Sequence, residues 1–248
     1  MFVPSVLHHR SCRFSCSPFV PDIFGVLCWN VHKKNTKNLI FKPFLETMIE
    51  EKKIDFLLFQ EANFKDDNHF TLPNFAFDAA ANLEYRGEFY GVLSASRAES
   101  KDAQAYLSEG RESLIGPHKS LLVSTYSFED GSEILILNIH AINFRENQGY
   151  HKELERFLKL MSHHEGPMII AGDFNSWNKK RMRRLHEVRE KLALQAVPFK
   201  QTDKVKSFMG NHLDFIFYRG VEIVDFSVDR DHGLSDHNPL FARFRKKS

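Results

Sequence analysis

The sequence predicts a mixed α/β fold in four layers, two packed β-sheets with helices on their outer faces. Three observations point to it. Short apolar runs of strand length alternate with segments whose apolar residues recur at helical spacing. A tight turn joins some of the runs as a hairpin. Polar residues collect at the ends of the apolar runs, as expected when strands are covered by other layers.

In chain order, Phe24–Asn30 (FGVLCWN) reads as the first strand of the domain, and Leu39, Ile40, Phe44, Leu45, Met48 and Ile49 then recur at helical spacing. Ile54–Gln60 (IDFLLFQ) is a buried strand by its apolar continuity. Strands follow at Tyr90–Ser96 and Ser120–Phe128, and the Asp130-Gly131 turn pairs the second of these with Glu133–His140. Tyr150, Leu154, Phe157, Leu158 and Met161 mark an amphipathic helix that Gly166-Pro167 ends. Met168–Gly172 is a short buried strand, and Met182, Leu185, Val188 and Leu192 form the apolar stripe of another helix. Strands at Leu213–Tyr218, Val221–Val228 and Pro239–Phe244 complete the chain. The stretch from Arg97 to Pro117, rich in Ser, Glu and Gly, reads as a long surface loop of the kind that is functional or mobile.

The chain has 248 residues, 42% of them hydrophobic, enough for the core of one large domain over 23–248. Residues 1–22, interrupted by Pro4, Pro18 and Pro21, read as a flexible or loosely docked tail. No run approaches the ~20 apolar residues of a membrane span. The N-terminus also lacks the uninterrupted apolar stretch of a secretory signal, so a cytoplasmic monomer is expected. Three cysteines imply no disulfide framework. Cys12 and Cys16 lack the second pair that would complete a metal site, and all three are expected as reduced thiols. A net charge of +2 says nothing about partners by itself; the distribution of charge must do that.

The informative feature is where acids, amides and histidines fall. Asn30 ends the first strand, Glu61 ends FLLFQE and His140 ends ILILNIH. Asp173 and Asn175 follow MIIAG, Asp214 opens DFIFY, and Asp236-His237 precedes PLFARF. Each alone reads as an ordinary polar strand end. Together they read as a site, because strand ends fix side chains while the loops beyond them stay open. Acids that converge repel unless a cation or a shared proton holds them. An oxygen-rich set of Asp, Glu and Asn suits Mg²⁺ or Mn²⁺ better than zinc.

The segments CWNVH, LLFQEA, LNIHAINF, IIAGDFNSW, LDFIFYRG and SDHNPL resemble, in order, the motifs of the endonuclease/exonuclease/phosphatase superfamily, which includes deoxyribonuclease I. HAINF, AGDFNSW and LDFIFYRG are closer still to an uncharacterised bacterial subfamily. The resemblance spans residues 28–240 and implies a deoxyribonuclease I-like four-layer sandwich and a metal-dependent phosphoesterase. It implies Glu61 as the main metal carboxylate, with Asn30 and Asp236 holding or orienting the ion. It also implies Asp173 as the group that activates or aligns water, and Asn175 as a hydrogen-bond partner of that water or the phosphate. His237, oriented by Asp214, contacts the phosphate or the nucleophile, and His140 donates to the phosphoryl oxygen or leaving group. Which histidine does which stays open. One departure is His32, where some relatives carry an amide or acid; it either stands in for that group or faces solvent.

The basic run Lys179, Lys180, Arg181, Arg183 and Arg184 follows GDFNSW directly. Lys180, Arg183 and Arg184 are candidate substrate contacts, together with His32, or else a solvated helix face. Phe208, Met209 and Phe215 are candidates for an apolar pocket beside Asp214. Three functions follow: a nuclease acting on DNA or RNA, a phosphatase or phosphodiesterase of small or lipid-linked phosphates, and a non-catalytic nucleic-acid-binding module. The intact acid, amide and histidine set argues against the third.

Overall fold

The computed structural model describes residues 5–9, 16–36, 38–64, 72–111, 118–141, 147–200, 204–230 and 233–247. The first half of the chain supplies β1 (Ser5–His9), β2 (Ile23–Asn30), α1 (Phe41–Lys52), β3 (Ile54–Phe64), β4 (Ala76–Tyr85) and β5 (Glu88–Ser96). β6 (Asp102–Arg111), β7 (His118–Ser127), β8 (Glu133–His140), α2 (Asn147–Met161), β9 (Met168–Asp173) and α3 (Lys179–Lys191) follow. The last part holds β10 (Gln195–Ala196), β11 (Ser207–Phe208), β12 (Asn211–His212), β13 (Asp214–Arg219), β14 (Val221–Val228) and β15 (Leu240–Lys246).

All strands but β11 and β12, which pair only with each other, make two large mixed sheets. The first runs β1-β4-β5-β3-β2-β15-β14 and the second β10-β13-β9-β8-β7-β6. Side chains alternate between faces along a strand, and that alternation builds the layers. On β2, Val26 and Cys28 join Phe56 and Leu58 of β3 in a core shared with Ile134, Ile136, Ile169, Ala171 and Ile216 of the second sheet. Leu27 and Trp29 point the other way, onto Phe41, Leu45, Met48 and Ile49 of α1. Those four residues recur at i, i+4, i+7 and i+8, the stripe a helix needs to cover a sheet. On the far side Leu137, Ile139, Met168 and Ile170 pack on Tyr150, Leu154 and Phe157 of α2 and on Leu185 and Val188 of α3. The order helix, sheet, sheet, helices is the expected four-layer sandwich.

Three expectations are corrected. The stretch expected as a loop from Arg97 to Pro117 contains β6, paired with β7 from Asp102↔Thr125 to Arg111↔His118; residues 112–117 lie outside the described residues. The N-terminal segment expected as a tail is partly built into the fold: Ser5–His9 pair with β4, and Val20 is buried and bridges Phe128. The remainder of that segment, 1–4 and 10–15, lies outside the described residues. Cys16 is disulfide-bonded, against the expectation of reduced thiols. β4, with its run of alanines, adds a strand that the apolar pattern of the sequence does not reveal. No described helix is long and apolar enough to cross a membrane.

The apolar seam between the sheets contains a polar clasp. Gln60 Nε2 donates to Asn138 Oδ1 at 2.7 Å, and Asn138 Nδ2 donates to the carbonyls of Phe59 and Leu93 at 3.1 and 3.0 Å. Replacing Asn138 with Leu leaves the Gln60 amide only the Leu58 carbonyl and Cys28 Sγ, and removes the Asn138 donor from two buried carbonyls. The expected loss is about 3 kcal/mol, seen as a melting temperature lower by on the order of 10 °C. A melt superimposable on wild type would show that the clasp adds nothing.

Candidate active site

The seam-facing residues of four strands end at one edge of the sandwich, and their parity selects much of the site. On β8, Ile134, Ile136 and Asn138 face the seam, so His140 does too; on β9, Ile169 and Ala171 do the same for Asp173. On β13, Ile216 and Tyr218 set the phase for Asp214. Register places the three side by side: His140 opposite Asp173 across the parallel pair, and Asp173 opposite Asp214 across the antiparallel one. Gly172, just before Asp173, has φ +149, and a Cβ there would stand 1.9 Å from the Ile139 carbonyl oxygen. Only glycine lets β9 lie this close to β8 next to the acid.

The first sheet contributes the facing residues. Asn30 follows the seam parity of Val26 and Cys28, and its Nδ2 donates to Asp173 Oδ2 at 3.2 Å. Glu61 would by parity face α1. A bulge between Phe59 and Ala62, with Glu61 itself at φ +50, turns it instead toward the second sheet. Its Oε1 lies 3.7 Å from His140 Nε2, which is in turn 3.8 Å from Asp173 Oδ2. His237, just before β15, donates from Nδ1 to Asp214 Oδ2 at 2.7 Å and sets Nε2 3.9 Å from Asp173 Oδ2. Asn175, at φ +48, donates its backbone N–H to Asp173 Oδ1 at 3.0 Å and its side-chain amide to the Ala141 carbonyl at 2.9 Å.

Asp236 stands apart from this cluster at the rim. It is half exposed, with Oδ1 on His32 Nδ1 at 2.9 Å and Oδ2 on Lys206 Nζ at 3.0 Å. His32 therefore neither faces solvent alone nor enters the buried cluster; it steers an acid. Lys33 leans on Glu61 at 3.6 Å. A cavity of about 550 Å³ joins these groups, lined by Glu61, Asp173, Asn175, Asp236, His140 and His237. Lys33, Lys119 and Lys206 add positive charge to its wall, and Trp177, Phe208 and Leu213 an apolar side.

Burial and the adjacent Asp214 charge push the Asp173 carboxyl well above the usual range. Burial, then the Lys119 charge, hold His140 well below the ordinary imidazole value. Burial would also lower His237, but the Asp214 charge and hydrogen bond, with Asp173 and Asp236 beyond, outweigh it and lift the ring to about 9. Burial raises Asp236, yet the Lys206 hydrogen bond and the His237 charge bring it down to about 2.

The donor set fits a hard divalent cation. Asp173, Asp214 and His237 offer ligand atoms within 4.8 Å of one another, and Asp214 Oδ1 is buried with no hydrogen-bond partner among the described residues. Glu61 and Asn30 add oxygen donors across the seam, and oxygen ligands suit Mg²⁺ or Mn²⁺.

The structure does not bring the α3 cations to this cavity. Lys180 and Arg183 are exposed, and Arg184 Nη1 donates to Glu187 at 2.8 Å. Met182 is only half-buried, and Arg181 takes the inner position expected for it. The Arg181 guanidinium is fully buried, 4.6 Å from the Tyr150 ring and 5.1 Å from that of Trp177, and donates to the Asn175 carbonyl at 3.0 Å. It braces the turn that carries Asn175. Its spacing from Leu185, Val188 and Leu192 was the available signal. Of the expected pocket aromatics, Phe208 lines the cavity, Met209 is exposed, and Phe215 packs on Phe174 and Phe217. Lys119, which carried no motif, is the unforeseen member of the site.

The chain is similar to known proteins along most of its length. Residues 27–237 match the Endonuclease/Exonuclease/phosphatase family. A UPF0294 protein of Vibrio campbellii is 33% identical over 223 residues, covering 89% of this chain and 77% of that one. A UPF0294 protein of Yersinia pseudotuberculosis is 40% identical over 234 residues, covering 90% and 84%. The crystal structure of an endonuclease/exonuclease/phosphatase from Beutenbergia cavernae shares the fold at a TM-score of 0.69 and 16% identity, covering 91% of this chain and 72% of that one.

The Asp214–His237 pair generates a pH prediction for the metal-free protein. Because the folded-state value of His237 is raised, the pair stabilises the fold fully below the unfolded histidine value of ~6.5 and loses that contribution as pH rises toward about 9. Wild type should therefore exceed Asp214→Asn in melting temperature most at mildly acidic pH, the gap narrowing as the buffer becomes alkaline. A gap that widens with pH would contradict the assignment.

Proposed function

The chain belongs to the endonuclease/exonuclease/phosphatase family, and we propose that it is a divalent-metal-dependent phosphoesterase that cleaves phosphodiester bonds of DNA or RNA. The observation that carries this reading is the pairing of opposite charges in one cavity: Glu61 and Asp236 to hold a cation, beside Lys33 and Lys206 to meet an anion. A phosphate ester bound through a divalent ion needs both.

Glu61, Asn30 and Asp236 would hold the ion, which when bound neutralises charge on the phosphoryl oxygens. Asp173 is the group to align the attacking water and draw its proton. Its Oδ1 is fixed by the Asn175 N–H and its Oδ2 by Asn30, and burial favours the protonated form it would then take up. The Asp214 carboxylate fixes the His237 ring through Nδ1, so Nε2 points into the cavity toward Asp173 with a proton to offer a phosphoryl oxygen.

The apolar side of the cavity favours a nucleic acid over a bare inorganic ester. Trp177 and Phe208 meet edge to face at a centroid distance of 6.3 Å and give a base or sugar a surface to pack on. Lys33 and Lys206 are then the first backbone-phosphate contacts. Lys180, Arg183 and Arg184 of α3 reach only a strand long enough to leave the cavity.

The test is a substrate panel with Mg²⁺ or Mn²⁺: supercoiled plasmid, abasic duplex, single-stranded RNA, and soluble and lipid phosphates. Nucleic acid should be cleaved and EDTA should abolish cleavage. Asp173→Asn should lower kcat by ~10²–10⁴-fold and Glu61→Gln should weaken metal binding. Turnover confined to lipid or small phosphates would move the substrate assignment, and turnover indifferent to EDTA would remove the metal.

The lysines give a separate prediction. Changing Lys33 and Lys206 to Ala should raise KM on duplex DNA and flatten its salt dependence by up to about one unit of log–log slope for each phosphate no longer neutralised. Changing Lys180, Arg183 and Arg184 should spare a short soluble diester. Unaltered salt dependence in the Lys33/Lys206 variant would remove these two from the substrate contacts.

A further inference from the structure

The cavity holds a buried cation that none of these roles uses. Lys119, near the start of β7, is 6% exposed and lines the cavity, with Nζ 3.1 Å from His140 Nε2. A lysine is rarely buried this far unless its charge meets acceptors or an anion. The neighbouring Ser108 hydroxyl accepts from the Lys119 backbone N–H at 2.9 Å and fixes the strand at that point.

The hydrogen bond settles the state of the histidine. An ammonium carries three N–H donors and no acceptor, so His140 Nε2 must receive with its lone pair and the ring keeps its proton on Nδ1. An imidazole engaged in this way has no Nε2 proton to give to a phosphoryl oxygen, yet Nε2 is the atom that faces Glu61 and Asp173, at 3.7 and 3.8 Å. The proton-bearing group next to the reaction centre on this side is the ammonium.

We propose that Lys119 is a catalytic residue whose ammonium donates to a non-bridging oxygen of the substrate phosphoryl group and stabilises the charge that builds there, with His140 as the residue that positions it. Lys119 transfers no proton in this role; it supplies fixed positive charge in a site shielded from water, where such charge acts most strongly. The inference rests on the phosphoesterase reading and reverses the role first expected of His140.

Inorganic phosphate in the presence of Mg²⁺ is the probe, because it reports the contact without turnover. Calorimetric titration of Lys119→Met should give a phosphate affinity at least about tenfold weaker than wild type, the scale of a missing hydrogen bond to a charged group. On bis(p-nitrophenyl) phosphate its kcat should fall by ~10²–10³-fold with a smaller change in KM. In a second variant, Lys119→Cys, alkylation with bromoethylamine restores an ammonium of nearly the same reach. Phosphate affinity and kcat should recover, while treated wild type is unchanged. The proposal is overturned if Lys119→Met binds phosphate like wild type, or if alkylated Lys119→Cys stays as impaired as the free thiol form. Wild-type protein that hydrolyses no phosphoester would overturn the proposed function, and the phosphate titration would still decide the contact made by Lys119.

Discussion

The hydrogen bond from Gln60 Nε2 to Asn138 Oδ1, 2.7 Å long and fully buried, is the constraint on which the candidate active site depends. Two apolar sheet faces can slide over one another at little cost, because hydrophobic contact is non-directional. Two buried amides cannot, because losing a partner leaves polar groups with neither protein nor water to bond. Gln60 directly precedes Glu61, and Asn138 stands two residues before His140 on the same face of its strand. The clasp thereby fixes the gap between Glu61 on one sheet and the row of His140, Asp173 and Asp214 on the other.

Three close pairs in the cluster cross that gap. Asn30 reaches Asp173, Glu61 approaches His140, and His237 meets Asp214, each joining a residue of the first sheet to one of the second. The arrangement carries local strain as well as charge repulsion. Glu61 and Asn175 have positive φ, as do His32 and Lys33 at the rim, although none is glycine. Core packing above and below holds these conformations. Charge is balanced in the same manner, with Lys33 on Glu61, Lys206 and His32 on Asp236, and His237 on Asp214. A cation bound among these acids would take over part of that balance and free lysines for the substrate.

How much of this was legible follows from what each residue contributes to pattern. Strands buried on both faces betray themselves as apolar runs, and the acids, amides and histidines at their ends stand out against that background, so Asn30, His140, Asp173, Asp214 and His237 were all readable. β4 was missed because Ala79, Ala80 and Ala81 carry little strand preference, and β6 because its Ser, Glu and Gly imitate a loop. Glu61 was found by its motif, but the bulge that turns it inward leaves no trace in hydrophobic period. Lys119 resembled a charged strand boundary, and Arg181 resembled its basic neighbours. In both cases burial comes from a distant element, His140 for one and the Tyr150 and Trp177 rings for the other, and sequence spacing holds no record of that. Lys180, Arg183 and Arg184 show the complementary case: closeness along the chain to Asp173 and Asn175 does not bring their side chains to the cavity wall.

The central claim is that the two sheets jointly form one metal-dependent phosphoesterase centre in which Glu61 is the principal carboxylate. Anomalous diffraction from crystals soaked in Mn²⁺ tests it most directly. The account predicts a single strong peak bonded to a Glu61 oxygen at roughly 2.0–2.6 Å, within reach of Asn30 and on the cavity side of Asp173. No peak bonded to Glu61 at saturating Mn²⁺ would contradict it.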